Sequence, residues 1–115
     1  MIQIYHNPSC RKSRECLTIL QKKNIEHEVN LYLKEPLEKQ ELIQIIQLLN
    51  IPAAELIRKE EKIFKTQYKQ RNMTEMDCIQ AMVDHPRLIQ RPIIIHKDKA
   101  IIGRPASKLI DFLDC

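Results

Sequence analysis

The sequence has no tryptophan, a single glycine, and only three tyrosines and two phenylalanines. So few aromatic rings leave little on which bases could stack. The 19 Lys and Arg against 15 Asp and Glu give a net charge of only +4, with no concentrated basic stripe. Nucleic-acid binding is therefore not expected. Long apolar runs are also missing. The longest near-continuous one, Leu42–Leu49, is interrupted by Gln44 and Gln47 and falls far short of the roughly 20 residues that span a bilayer. Met1-Ile2-Gln3-Ile4-Tyr5 lacks the basic start and apolar run of a signal peptide. A cytoplasmic location, with no membrane association, is the expectation. The four cysteines, Cys10, Cys16, Cys78 and Cys115, include no C-x-x-C pair, and the scattered histidines complete no Cys/His zinc pattern. The thiols are expected to be reduced and to bind no metal.

What is present suits one α/β domain. The chain has 115 residues, 43% hydrophobic and 30% charged, enough for one buried core. Ile2–Tyr5 alternates and predicts a first strand; His6-Asn7-Pro8-Ser9 is a turn. From Cys10, the spacing of Ser13, Cys16, Leu17 and Leu20 predicts a helix with one buried face, ending at Asn24. Glu28–Leu33 alternates again and predicts a second, parallel strand, completing a βαβ unit.

Beyond the break at Pro36, Leu42, Ile45, Ile46 and Leu49 define a helix stopped at Asn50. Residues 53–59 suit a short helical turn, and 60–71 are polar and weakly patterned. Thr74-Glu75-Met76-Asp77 is a capping-box signal for a helix ending at His85-Pro86. Pro92–His96 and Ala100–Ile102 predict a hairpin turning at Lys97-Asp98-Lys99. Pro105 suits the first position of a last helix carrying Leu109, Ile110 and Leu113. The order β-α-β, a helical insertion at about 37–84, then β-β-α matches a thioredoxin-like arrangement with a mixed four-stranded sheet.

The chemistry centres on Cys10. It stands where a strand gives way to a helix, and free N–H groups at a helix start favour an anion. Arg11, Lys12 and Arg14 add positive charge in the same turn. Cysteines in such places titrate at about 3.5–7.5 rather than near 8.5, so Cys10 is expected to be a thiolate nucleophile at neutral pH. Cys16 is about 9 Å along the helix axis and on another face, too far for a disulfide with Cys10 while the helix is intact. Cys16 and Cys78 are expected in the core; a resolving role for Cys115 stays open. Ser13, one turn after Cys10, is placed to turn its hydroxyl toward the same anion as the sulfur. His27, His85 and His96 carry no expected role.

His6-Asn7-Pro8-Ser9-Cys10-Arg11-Lys12-Ser13-Arg14 resembles the H-x3-C-x3-R signature of the glutathione- and glutaredoxin-coupled arsenate reductase family. Leu31–Pro36, Leu56-Ile57-Arg58-Lys59, the stretch His85–Ile93 and Gly103-Arg104-Pro105 extend the resemblance over nearly the whole chain. The family implies that Cys10 attacks arsenate and forms a thiol–arsenate adduct. Arg58, Arg91 and Arg104 would bind the oxyanion, with His6, Ser13 and Arg14 shaping the anion loop. The Arg91–Pro92 bond would be cis, with Pro92 facing the Cys10 loop. Glutathione would act as co-substrate and glutaredoxin as the partner that resolves the mixed disulfide, the protein acting as a monomer. Phosphatase-like arsenate reductases are excluded by spacing: C-x5-R requires Arg at the position of Cys16. The alternative is a thioredoxin-fold regulatory or interaction protein that uses Cys10 as a redox sensor. Three candidate arginines favour the enzyme.

Overall fold

The computed structural model describes residues 1–69 and 71–113; Cys115, whose role the sequence leaves open, lies outside the described residues. The chain forms two compact units, Met1–Glu35 with Arg91–Cys115, and Pro36–Gln90.

The first unit holds the sheet. Strand β1 (Ile2–Tyr5) pairs in parallel with β2 (His27–Asn30), with Ile2 opposite His27 and Tyr5 opposite Asn30. On its other side β1 pairs antiparallel with β3 (Ile93–His96), which pairs with β4 (Lys99–Ile102). The strand order is β2-β1-β3-β4, the mixed four-stranded sheet the sequence predicts. Helix α1 (Arg11–Lys22) links β1 to β2, and α6 (Ser107–Leu113) follows β4. Ile2 and Ile4 of β1, Cys16 and Leu20 of α1, Ile94 of β3 and Leu109 of α6 form one buried cluster. The period-2 face of the strands and the three- and four-residue spacing of α1 converge on it. Asn24, at φ 53, follows α1 in the left-handed conformation that asparagine tolerates.

Three expectations need correction here. The second strand stops at Asn30, not Leu33. Leu31 O accepts from both Lys34 N (3.0 Å) and Glu35 N (2.9 Å), so local turn bonding replaces the ladder. The hairpin turn is Lys97-Asp98 alone, with Lys97 at φ 60 and Lys99 already paired with His96. Pro105 is not the first residue of the last helix. It lies two positions before α6, its carbonyl accepting from Lys108 N at 3.0 Å.

The second unit is helical: α2 (Lys39–Leu49), α3 (Ala53–Leu56), α4 (Lys62–Gln67), α5 (Glu75–Asp84) and a 3-10 turn at Pro86–Leu88. Asn50 ends α2 at φ 56. Thr74 and Asp77 form the reciprocal capping box of α5, and both carboxylate oxygens of Glu75 accept from Ala53 N at the start of α3. Helix α4 falls within the stretch 60–71, which is polar and weakly patterned in sequence. It buries no residue fully, so no apolar stripe announces it. An isolated antiparallel bridge joins Ile57 to Ile89.

Candidate functional site

Between β1 and α1 the chain must turn within five residues, and the polar groups of that turn are satisfied inside it. Asn7 Oδ1 accepts from Ser9 N at 3.0 Å, and Asn7 O accepts from Cys10 N at 3.0 Å. This side-chain-to-backbone bonding is what makes asparagine a turn residue. Ser13 Oγ accepts from Asn7 N at 3.0 Å and lies 2.6 Å from His6 Nδ1. With the imidazole neutral, the network is assigned as Asn7 N–H to Ser13 Oγ and Ser13 O–H to His6 Nδ1. Arg14 closes the loop from outside, donating through Nη1 to Pro8 O at 2.9 Å. Burial holds the His6 pKa below its ordinary value of 6.5, and the nearby Arg14 charge lowers it further.

This loop delivers Cys10 to the N-cap of α1 in an extended conformation, φ −97 and ψ 121. The side chain forms no regular cap bond, yet the sulfur is influenced by the helix start. Partial burial works against the Cys10 thiolate. The Ser13 amide, the Arg91 guanidinium and the Lys12 amide together outweigh it, and the pKa falls below its ordinary value. The first turn contains no acidic residue to oppose them. Cys10 is half-buried and free, an activated thiol within reach of solvent.

Among the described residues, the polar or charged side chains that are buried are His6, Asn7, Ser13 and Arg91. All four belong to this loop or act on its cysteine. Arg91, 8% exposed, precedes β3, and its backbone is held by Arg104, whose Nη1 donates to Arg91 O at 3.3 Å. The Arg91–Pro92 and Arg104–Pro105 peptides are both cis.

The first unit thus brings together Cys10, His6, Ser13, Arg14, Arg91 and Arg104. One detail differs from expectation. Ser13 is fully buried and turns its hydroxyl to His6 and Asn7, so it fastens the loop and is not presented to an incoming anion. Arg58 belongs to the second unit. Its N–H donates to Leu88 O at 2.6 Å, and its guanidinium pairs with Glu60 at 3.3 Å and Glu61 at 3.1 Å. Three contributors lie outside the residues the sequence singles out: Asn7, Glu60 and Glu61. Asn7 is signalled by the Asn-Pro turn; Glu60 and Glu61 are signalled only by standing two and three residues after Arg58. Among the described residues no group of three or more His, Cys, Asp or Glu could hold a metal, and no helix is long and apolar enough to cross a membrane.

The ArsC family model matches residues 5–112, from the end of β1 to the last helix. The chain belongs to the ArsC family. It is 40% identical to the uncharacterized protein YfgD of Escherichia coli strain K12 over 114 residues, 97% of this chain and 96% of that protein. It is 36% identical to an arsenate reductase of Haemophilus influenzae over 112 residues, 96% of this chain and 97% of that one. Among solved structures, an arsenate reductase from Vibrio cholerae superposes with a TM-score of 0.90 at 32% identity, covering 96% of this chain and 95% of that one. The α/β arrangement is therefore the thioredoxin-like fold of the ArsC family, and membership supports a thiol-dependent reductase.

Proposed function

We propose that this ArsC family member reduces arsenate to arsenite through Cys10. The observation that carries the proposal is a buried arginine, Arg91, acting on a cysteine whose pKa is already lowered. A sensor thiol has no oxyanion to neutralise and needs no cation beyond what its own pKa requires. An enzyme bringing a thiolate to a multiply charged oxyanion needs more, because two anions approach and charge builds in the transition state. The planar guanidinium fork suits tetrahedral oxyanions.

The Cys10 thiolate attacks arsenic(V), an arsenate hydroxyl takes a proton from solvent and leaves as water, and a Cys10–S–As bond forms. A glutathione thiolate then attacks the Cys10 sulfur. The S–As electron pair stays with arsenic, which departs as arsenite, and Cys10 is left in a mixed disulfide with glutathione. Glutaredoxin attacks that disulfide and restores the thiolate. The two electrons taken by arsenic come from the two thiols that become the disulfide. Arg91 and Arg104 bind the oxyanion in this proposal. The family resemblance adds Arg58 as a further arginine for the oxyanion. His6, Ser13 and Arg14 keep the loop in shape. The protein acts in the cytoplasm as a monomer with no bound cofactor, glutathione serving as co-substrate.

The test is arsenate-dependent NADPH oxidation in the presence of glutathione, glutaredoxin and glutathione reductase. The parent protein should turn over and Cys10→Ser should not. Absence of parent turnover, together with no protection of Cys10 by arsenate against alkylation, would return the protein to the regulatory reading.

A further inference from the structure

Cys16 lies six residues after Cys10 on α1, and its thiol meets the chain at a point 87 residues away. Sγ donates to Gly103 O at 3.3 Å. A thiol is a weak donor, but this one is fully buried, and burial pushes its pKa up to about 11, so it stays protonated. Gly103 is held at both ends, because its N–H donates to Pro92 O at 2.9 Å. It is also the chain's only glycine, and the reason is steric. A Cβ there would sit 2.6 Å from Cys16 Sγ, 2.9 Å from Ile94 Cδ1 and 3.1 Å from Pro92 Cγ. The residue on one side of this clasp is Arg104, which donates to Arg91 O. The residue before Pro92 is Arg91, which acts on the Cys10 sulfur. Helix α1 therefore grips, through Cys16, the corner that carries both arginines, while its N-terminal end presents the thiolate.

We infer that Cys16 and Gly103 are positioning residues for the Cys10 site: the thiol-to-carbonyl clasp sets Arg104 and Arg91 in register with the sulfur. The inference rests on the reading that these arginines serve Cys10, and it deepens that reading by tying them to α1. Neither residue touches the reactants. Cys16 acts through Gly103, and Gly103 through the backbone of Arg104 and Pro92.

The experiment measures the pH midpoint of Cys10 alkylation by iodoacetamide, quantified on the Cys10 peptide, which requires no arsenate. Gly103→Ala forces its Cβ against Sγ. It should raise the alkylation midpoint by about half to one pH unit, a roughly three- to tenfold loss of thiolate and of rate when read at a pH below the parent midpoint. Cys16→Ala removes the donor and should move the midpoint the same way by less. Cys16→Ser keeps a donor and should stay closer to the parent. The double variant Cys16→Ala/Gly103→Ala, in which the closest clash is gone, should return from the Gly103→Ala midpoint to that of Cys16→Ala. Ile2→Val trims the same core cluster at the end of β1 opposite the Tyr5–Ile93 pair. It should lower thermal stability and leave the midpoint in place.

A folded Gly103→Ala with the parent midpoint, or an Ile2→Val shift as large as that of Gly103→Ala, would overturn the inference. If Gly103→Ala does not fold, the Cys16 pair decides: equal midpoints for the parent, Cys16→Ala and Cys16→Ser overturn it. Arsenate protection of Cys10 is followed in parallel. Its absence in the parent protein counts against arsenate as substrate, whereas the midpoints judge the clasp.

Discussion

The tip and the middle of α1 carry the same side chain in opposite states. At the tip, Cys10 is half-buried, facing the Ser13 and Lys12 amides of the first turn and the Arg91 guanidinium, and its thiolate is favoured. In the middle, Cys16 has no free amide near it, because every helical N–H there is paired along the axis. Apolar burial, with the Glu15 charge adding to it, pushes its pKa up to about 11. Desolvation opposes ionisation at both sites. What differs is whether oriented donors and a cation outweigh it. The helix thus offers one position for a nucleophile and, about 9 Å along the axis, one for a neutral packing residue. The thiol at the second position helps to hold the arginine corner for the first.

Removing the cation should break the contrast most strongly. Arg91→Ala is expected to lose at least about 2 kcal/mol of transition-state stabilisation, more than tenfold in kcat/KM for arsenate. It should also raise the alkylation midpoint of Cys10 toward the ordinary thiol range. An unchanged kcat/KM would take Arg91 out of the site.

The next largest effect comes from the loop that feeds the tip. Ser13→Ala leaves Asn7 N–H and His6 Nδ1 buried without their partner, which costs about 1–3 kcal/mol. It should appear as a lower denaturant midpoint at unchanged slope. Thr18→Ala, on the exposed face, removes only a bond to Arg14 O and should cost far less. Equal losses for the two would show that the loop network contributes no more than a solvated hydroxyl.

The smallest effect is a pH dependence. The folded-state pKa of His6 is lowered from 6.5. The unfolded chain therefore takes up this proton first as pH falls. The stability contributed by neutral His6 is fully present above about pH 6.5 and is lost progressively below it, down to the folded-state pKa. Denaturant midpoints at pH 7.5 and 5.5 should fall more for the parent than for His6→Gln. Parallel declines would remove His6 as the sensitive group.

The features legible in the sequence were those with local causes. The capping box of α5 is a four-residue signal and forms as read. The Asn-Pro turn, the helix start at Cys10 and the left-handed stops near Asn24 and Asn50 depend on neighbours in the chain. Helix α4 escaped because a helix with no fully buried residue has no apolar period to read. The second strand reads longer in sequence than it is, because Leu31 and Leu33 keep alternating while the backbone has already begun to turn. At the site, Cys10 and its loop were readable from one short motif. The grip of Cys16 on Gly103 and the bond from Arg104 to Arg91 were not. They join residues 87 and 13 positions apart, and no pattern in either segment announces the other. The Glu60 and Glu61 partners of Arg58 were in plain view, but a charge run reads first as a solvated face.

The most direct test of the account is the alkylation rate of Cys10 and Cys16 followed separately from pH 5 to 10 in the native protein. The account predicts a Cys10 rate already on its plateau above about pH 7, well below the ordinary thiol range near 8.5, with Cys16 unmodified until the protein unfolds. A Cys10 rate still climbing steeply through about pH 8.5, or native Cys16 reacting alongside it at neutral pH, would contradict it.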